Sequence, residues 1–496
     1  MRTIALAVAL AASVFVAAPS PDAAAQQRDR LVLAMPLEPP HLDPTAGAAA
    51  AIDEVVYANV FEGLTRIDRS GNVVPGLADS WTVSDDGLTY TFRLRPNVKF
   101  HDGTEFDSTV VKFSYDRARA PDSTNAQKGY FAAIAAVETP DPLTAVVKLS
   151  RPDGQFLFNM GQGDAVMVHP NSAAANKQTP VGTGPFRFER WIPGDRVVLV
   201  KNTSYWNQQL PKLNRVEVRI IADPAAQTAA LLAGDVDVIP NIGAYEAVGR
   251  FRQNKDFQVV VGTTEGETVL AFNNAKPPFN DVRVRRAIQH AIDRKQLIDG
   301  AMSGFGTPIG SFFAPHRQGH VDLTGQYPYD PAKAKQLLAE AGFPGGFETT
   351  LRLPPPAYAR KGGELVQAFL AEVGIRAQIV PMEWAQWLEQ VFRGRDYDMT
   401  IVSHTEPLDL DVYARETYYF NYQSPKYRET HATLDRTVDP AKRAEIYGQL
   451  QRILAEDAAS GYLFQLPKVM ISRPNIVGMW ENAPIQANDV TEVSWR

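Results

Sequence analysis

Apolar residues recur along this chain with two different periods, and each period predicts one kind of element. Residues 88–100, LTYTFRLRPNVKF, alternate apolar and polar side chains and predict a strand. Residues 281–302 place Val284, Ile288 and Ile292 on one face at helical spacing, and so predict a single amphipathic helix. Both periods occur along the chain, which indicates a mixed α/β protein.

The two periods alternate regularly in the second half of the chain. Strands are predicted at 349–354, 375–381 and 398–404, and helices at 363–374 and 384–394. Strand–helix–strand units of this kind build a mostly parallel sheet. Ligands of such sheets bind outside the carboxyl ends of the strands. The ends of these three strands are therefore the first places to look for a site.

The last of these predicted strands leads directly into a group of acids. Residues 401–415 read IVSHTEPLDLDVYAR and carry Glu406, Asp409 and Asp411 just after the apolar run. Four interpretations are open for this acidic segment: a catalytic acid pair, a metal site, a pocket for a cationic ligand, or an acidic surface loop.

Length and charge narrow the class of protein. With 496 residues the chain is too long for one ordinary core, so two or more domains are expected. The formal net charge is −6. A nucleic-acid partner is not expected, because phosphate contacts need a basic surface.

The first 25 residues are typical of a secretory signal peptide. One Arg precedes an apolar run from Ile4 to Ala18, and Ala23 and Ala25 form an A-x-A site before Gln26. The run is short for a membrane span of roughly 20 residues, which favours cleavage over an anchor helix.

The chain has no cysteine, so neither disulfides nor a lipid-modified cysteine at the cleavage site are expected. A free periplasmic protein is predicted.

Several stretches carry a family resemblance. Residues 84–117, residues 272–298 and the segment VGTGPFRFERWIPGDRVVLVKNTSYW at 181–206 follow one another as in the extracytoplasmic solute-binding proteins of peptide-type ABC transporters. The chain resembles this oligopeptide/dipeptide/nickel-binding family over almost the whole mature sequence.

The resemblance implies an α/β, two-lobed periplasmic-binding-protein fold with an extra subdomain in the first lobe. Two segments would cross the hinge, and the lobes would close on the ligand. The implied divisions are as follows: signal peptide 1–25, first part of lobe I 26–61, inserted subdomain 62–182, second part of lobe I 183–270, lobe II 271–464, and a return to lobe I at 465–496.

The resemblance also implies binding residues. In peptide-binding members an acid after a second-lobe strand pairs with the ligand ammonium, and Glu406 occupies that position. Glu38, before LDP, is the corresponding first-lobe acid. Dipeptide-binding members hold the ligand carboxylate with an Arg, but Leu353 stands there, with Arg352 beside it and Arg360 further on. Whether Arg352, Arg360 or neither holds a carboxylate stays open.

Other residues near this segment have two interpretations each. Asp409 is either a ligand group or a helix cap, and Asp411 is interpreted as solvated. His404 would contact ligand or metal, or serve as a hydrogen-bonded structural group. Trp384 would stack on the ligand or pack in a core. Glu406 itself would bind the ammonium or cap the next turn.

No metal site or cofactor is predicted. His316 and His320 are close in sequence, but no acid or Cys lies near them at ligand spacing. Motifs of serine hydrolases, zinc proteases and P-loop proteins are absent from the sequence.

The predicted function is a monomeric, non-enzymatic periplasmic receptor. It would bind a peptide or similar amine-bearing molecule between its lobes and deliver it to an inner-membrane ABC permease. A receptor for a nickel chelate, an opine or a sugar is the first alternative. An exported hydrolase using the acidic segment is the second.

Overall fold

The computed structural model describes residues 29–47 and 49–496. The predicted signal peptide, 1–25, lies outside the described residues. Within the described ranges, no helix has both the length and the apolar character that crossing a bilayer requires.

The strands of the described ranges are short except for two. In chain order they are β1 Arg30–Met35, β2 Thr65–Ile67, β3 Val73–Pro75, β4 Ala78–Val83, β5 Thr89–Leu94, β6 Ile134–Asp141, β7 Thr144–Leu149, β8 Phe186–Ile192, β9 Arg196–Lys201, β10 Arg215–Ile220, β11 Val238–Ile239, β12 Gln258–Phe272, β13 Thr307–Pro308, β14 Glu348–Leu353, β15 Arg376–Pro381, β16 Met399–His404, β17 Ser460–Ser472, β18 Ile476–Val477 and β19 Ser494–Trp495.

The helices lie mostly between strands. In chain order they are α1 Ala50–Val56, α2 Ser108–Arg119, α3 Phe156–Asn159, α4 Pro224–Ala233, α5 Val248–Arg252, α6 Val282–Ala291, α7 Arg294–Met302, α8 Pro331–Glu340, α9 Ala357–Glu372, α10 Trp384–Trp387, α11 Pro425–Arg436 and α12 Pro440–Glu456. A π-helical segment, Leu388–Arg393, continues α10.

One long mixed sheet runs through the molecule in the order β15-β14-β16-β12-β17-β11-β1-β10-β9-β8, with β13 paired to β17. A separate four-stranded antiparallel sheet has the order β4-β5-β7-β6. The predicted 349–404 unit is confirmed, because β14 pairs in parallel with both β15 and β16. The carboxyl ends of these three strands therefore meet at one edge.

The two longest strands, β12 and β17, pair antiparallel along most of their length. They are interrupted by register shifts between Thr263 and Glu267 and between Thr268 and Val269. Nearly every residue of β17 is buried, so both of its faces are covered. These two strands are the chain segments that join the two halves of the long sheet.

The hydrophobic clusters mix distant parts of the chain. One cluster packs Leu31 and Leu33 of β1 against Ile476 and Val493, so the carboxyl-terminal segment returns to the first strand. A second cluster lies wholly within residues 64–167, around the four-stranded sheet. Two further clusters use only residues 269–464.

The capping predictions are confirmed at α4 and α8. The side chain of Asp223 accepts a hydrogen bond from Ala226 N at 2.7 Å, and Asp330 accepts one from Lys333 N at 2.8 Å. Both caps are followed by Pro at the first helical position, where its missing N–H costs nothing.

The helix predicted over 281–302 is two helices. Ile292 takes an extended conformation, and Asp293 caps α7 through a 3.0 Å hydrogen bond from Gln296 N. The apolar face continues across this break, so periodicity alone could not detect it.

Helix α9 begins at Ala357, before the predicted start at 363. Gly362 and Gly363 lie inside it, and a Cβ on Gly363 would overlap the Leu353 side chain. Gly363 allows α9 to pack closely on β14, and it does not mark the start of the helix.

Candidate ligand-binding site

Strand β16 ends at His404, and the loop that follows folds back on the strand end. Leu408 adopts a left-handed conformation, with φ of 59°, which turns the loop. His404, Glu406 and Asp409 each place one ligand-type atom within 4.8 Å of the others. The acidic segment is therefore a compact cluster at the carboxyl end of β16.

His404 is a buried, hydrogen-bonded residue. Its Nε2 lies 2.9 Å from the Tyr419 hydroxyl, and its ring stacks on the Tyr419 ring with centroids 6.1 Å apart. Its Nδ1 lies 3.5 Å from Oδ2 of Asp409. The imidazole is thus hydrogen-bonded to Tyr419 through Nε2, and its Nδ1 side faces Asp409.

Asp409 stands at the N-cap position of the 3₁₀ turn Leu410–Tyr413, yet its side chain makes no capping hydrogen bond. Burial raises its pKa to about 6, against the opposing influence of His404. Asp411 forms an exposed ion pair with Arg415 at 2.7 Å. Asp409 therefore faces the cluster, whereas Asp411 is held at the surface.

Glu406 is exposed, and the interaction found for its carboxylate is a hydrogen bond from the backbone N–H of Thr405 at 3.1 Å. No ion pair of Glu406 with a Lys or Arg occurs within the described ranges. Its negative charge is available to a partner from solution.

A third carboxylate, that of Glu267, lies next to Asp409, and the sequence patterns did not indicate it. Glu267 on β12 stands opposite His404 in the strand register. It is 4% exposed, and its Oε2 has no hydrogen-bond partner within 29–47 and 49–496. Burial and the carboxylates of Glu265 and Asp409 raise its pKa well above the usual value.

Glu267 and Asp409 line one small cavity together with Glu265, Arg317 and Leu408. Its volume is about 10 Å³, close to what one water molecule needs. The cavity lies between strand β12 and the loop after β16, so it connects the crossing strands with the acidic cluster.

Beneath this cavity lies a buried ionic network. Arg317 Nε donates to Oε2 of Glu265 at 2.7 Å, and its Nη2 donates to the Pro484 carbonyl at 2.7 Å. His316 Nδ1 lies 2.7 Å from Oγ1 of Thr263. Glu265 thus contacts both Arg317 and His316, whose Nε2 lies 2.7 Å from Oε1, whereas Glu267 has no ion pair with a Lys or Arg among the described residues.

A second pair of acids comes from the first part of the chain. Burial raises the pKa of Asp164 to about 7, and burial and Asp164 raise that of Asp53 well above its usual value. Burial and then the charges of Asp164, Glu406, Asp53 and Asp409 raise the pKa of Tyr130. Tyr130 thus lies within electrostatic reach of both acid pairs.

Exposed apolar side chains flank the cluster on α10 and its π-helical continuation. Trp384, Leu388 and Phe392 recur every four residues and are 40%, 40% and 38% exposed. Phe392 meets Tyr418 edge to face at 5.7 Å. Trp387 is buried instead, and donates from Nε1 to Thr400 at 3.0 Å.

The remaining predicted residues have protein partners. Glu38 accepts hydrogen bonds from Trp191 Nε1 at 2.9 Å and from Gly194 N at 2.8 Å. Arg360 pairs with Glu383 at 3.1 Å. Neither side chain is hydrogen-bonded to the loop after β16 within the described part of the chain, so their roles stay predictions.

The arginines considered for a ligand carboxylate are placed as follows. Leu353 is 1% exposed and lies in a hydrophobic cluster. Arg352 points to the other side of β14, where it pairs with Asp396 at 3.1 Å.

The cluster can be compared with a metal site. His404, Glu406 and Asp409 have donor types that transition metals accept. Sequence spacing did not predict this grouping, because it depends on the loop turning back at Leu408. A metal would have to compete with Tyr419 and Asp409 for the imidazole nitrogens.

Comparison with known proteins identifies the family. The family "Bacterial extracellular solute-binding proteins, family 5 Middle" matches residues 72–426. The chain belongs to this family. The solute-binding protein is 31% identical over 461 residues to the glutathione-binding protein GsiB of Salmonella paratyphi A, covering 88% of this chain and 89% of the relative.

Two solved structures show the same fold. The periplasmic binding protein DppA of Helicobacter pylori, in complex with the peptide STSA, is 26% identical with a TM-score of 0.75, covering 95% and 99% of the two chains. The murein tripeptide binding protein MppA, in an unliganded open form, is 22% identical with a TM-score of 0.83, covering 95% and 98%. The predicted periplasmic-binding-protein fold is confirmed.

Family membership settles the class of function. The solute-binding protein is an extracytoplasmic component of an ABC transporter, and a non-catalytic receptor. The alternative of an exported hydrolase is therefore wrong.

Proposed function

We propose that this receptor binds a small peptide-type molecule through its free ammonium group and delivers it to an inner-membrane ABC permease. The observation that carries the proposal is the Glu406–Asp409–Glu267 cluster at the carboxyl end of β16. Asp409 lies beside Glu406 in this cluster and lines the small cavity with Glu267, and neither Lys nor Arg forms an ion pair with these three carboxylates within the described residues.

Electrostatics favours a cationic ligand group at this cluster. Burial penalises the charged form of Asp409 and Glu267, as their raised pKa values indicate. An ammonium would neutralise these charges, and charge-assisted hydrogen bonds are the stronger kind. His404 keeps Asp409 in place for the ligand.

The exposed side chains of Trp384, Leu388 and Phe392 supply an apolar wall for the rest of the ligand. Exposed apolar side chains at such spacing commonly mark interaction surfaces. Tyr418 lies between this wall and the acids: it meets Phe392 edge to face, and burial, followed by the charges of Asp409 and Glu406, raises its pKa.

The relatives support a peptide-type ligand. The relative from Salmonella paratyphi A is named for binding glutathione, and the Helicobacter pylori structure contains the peptide STSA. Both ligands carry an ammonium group and amide bonds. Glutathione is therefore the first ligand to test, and short peptides are the second.

We also propose that the lobes have the boundaries implied above and close by bending at β12 and β17. The clusters at 64–167 and 269–464, and the return of 476–493 to β1, support these boundaries. The register shifts in β12 lie at the crossing and would localise the bend.

Isothermal titration of the purified mature protein tests the proposal. Glutathione, Ala-Ala and Gly-Gly-Gly are titrated beside their N-acetylated forms. We expect at least one free-amine ligand to bind with micromolar or lower Kd, and its N-acetyl form to bind at least tenfold more weakly. Equal affinity of both forms would refute the ammonium anchor.

One observation favours a second candidate, a receptor for a metal chelate. The His404, Glu406 and Asp409 donor atoms lie within 4.8 Å of one another. Titration with nickel–histidine, and metal analysis of the protein after dialysis, would decide. Retention of one metal per chain that His404→Phe abolishes would favour this candidate over the amine receptor.

A further inference from the structure

A chamber of about 540 Å³ lies beyond the acidic cluster, between the four-stranded sheet region and α12. We call it the outer chamber. Its apolar walls come from both sides of the molecule: Trp81, Leu157 and Phe158 on one side, Val438 and Tyr447 on the other. This volume falls within the usual range of ligand pockets.

The outer chamber adjoins the acidic cavity. Leu408 and Arg317 line both spaces. Leu408 lies in the loop between Glu406 and Asp409. A ligand whose ammonium lies at these acids is therefore beside the outer chamber.

The chamber wall includes a buried cation, Arg443, which is 8% exposed. Its Nη1 donates to the carbonyls of Leu434 and Thr437 at 2.9 Å, and its Nη2 donates to the Tyr447 hydroxyl at 2.7 Å. These acceptors are all uncharged.

No carboxylate forms an ion pair with Arg443 in the described part of the chain. The charge of Arg443 has only a minor effect on Asp153, whose pKa it lowers. The buried guanidinium is thus satisfied by neutral groups, and it retains capacity for an anion, since a guanidinium has five N–H donors.

A backbone contact joins the two sides of the chamber. The Gly154 N–H donates to the Asp435 carbonyl at 2.7 Å. A Cβ at position 154 would overlap Nη1 of Arg443 and the carbonyl oxygen of Thr437. Glycine at 154 therefore allows the four-stranded sheet region to lie directly on the guanidinium.

We propose that the outer chamber is a second subsite, which takes an apolar carboxyl-terminal residue of a peptide ligand, with Arg443 facing its carboxylate. The proposal rests on the proposed function, since the ammonium is taken to lie at Glu406 and Asp409. The class of ligand is then a short peptide with a free amino end and a large apolar last residue, such as Phe or Leu.

Calorimetry with matched peptides tests the subsite. Ala-Phe, Ala-Ala-Phe and Ala-Ala-Ala-Phe are compared with the Ala-ended peptide of the same length and with the carboxyl-terminal amide. For at least one peptide length, we expect the Phe-ended free acid to bind at least tenfold tighter than the Ala-ended peptide and than its own carboxyl-terminal amide. Equal binding of Phe- and Ala-ended peptides at all lengths would overturn the proposal, even if N-acetylation still abolishes binding and so upholds the ammonium anchor.

Two variants locate the effect. Arg443→Met should remove the preference for the free acid over the amide, whereas the matched control Arg452→Met, exposed on the same helix, should retain it. Val438→Trp partly fills the chamber and should abolish the Phe-over-Ala preference. An unchanged Phe-over-Ala preference in Val438→Trp would overturn the proposal. Val438 is 38% exposed, so this substitution leaves the folded core intact.

Discussion

Nδ1 of His404 lies 3.5 Å from Oδ2 of Asp409, and this contact joins the end of β16 to the far side of the loop that follows it. The imidazole is itself fixed by Tyr419 at 2.9 Å. A short chain of interactions thus runs from an aromatic core to the acids, and the site is organised before any ligand arrives.

Neutralising Glu406 should weaken binding of an amine-bearing ligand. Glu406→Gln removes the charge while keeping the shape. Lobe closure on the ligand desolvates the pair, and losing one member of such a pair costs about 2 kcal/mol or more, roughly a 30-fold rise in Kd. Titration calorimetry with glutathione measures it. Asp411→Asn is the matched control, because Asp411 is already paired with Arg415, and its Kd should change less than twofold.

Binding of the amine should weaken as the solution becomes acidic. Burial raises the Asp409 pKa to about 6, so at pH 5 only about one Asp409 in ten is ionised, while at pH 7.5 nearly all are. The ligand amine is fully protonated at pH 5 and still mostly protonated at pH 7.5, so its own titration does not cause weaker binding in acid. We expect Kd to rise several-fold from pH 7.5 to pH 5 and this rise to be much smaller in Asp409→Asn; an identical pH profile in the variant would contradict the assignment.

Removing the buried charge of Asp164 should stabilise the receptor at alkaline pH. Its folded-state pKa is raised to about 7 from an ordinary 3.8, so the folded state retains a proton that the unfolded state releases between these values. Wild-type stability therefore falls as pH rises through this window, and the penalty is complete at pH 8.

Asp164→Asn has no such penalty. Oδ1 of Asp164 is buried without a hydrogen-bond partner among the described residues, so the gain at pH 8 should be about 1–3 kcal/mol. The gain should fall towards zero near pH 4. Urea unfolding at both pH values checks this, with Asp85→Asn as the exposed control; a pH-independent gain would show that another effect is responsible.

Breaking the ion pair beneath the acidic cavity should destabilise the protein strongly. Arg317 and Glu265 are 5% and 4% exposed, and removing the guanidinium leaves the buried Glu265 carboxylate with only the His316 imidazole, whose Nε2 lies 2.7 Å from its other oxygen. Arg317→Met should lower the free energy of unfolding by about 3–5 kcal/mol. Arg376→Met breaks an exposed pair with Glu348 and should cost at most about 1 kcal/mol.

The sequence by itself determined the local helices and strands and the sheet edge at which the candidate site lies. Asp223 and Asp330 predict the starts of their helices from sequence, because a capping side chain bonds a backbone N–H only three residues further on. The alternation over 349–404 predicted three strands whose ends meet, and it placed Glu406 and Asp409 at that edge. These signals are readable because short-range sterics and hydrogen bonds produce them.

Only the tertiary structure decided which groups share the site. Glu267 meets Asp409 because β12 pairs with β16, and Arg443 faces the outer chamber because α12 packs near the four-stranded sheet region. The break at Ile292 and the early start of α9 likewise follow from a cap and a close helix–strand contact. Strand pairing and side-chain packing join residues that are far apart in the chain. Hydrophobic periodicity depends only on residues a few positions apart, so it does not predict such contacts.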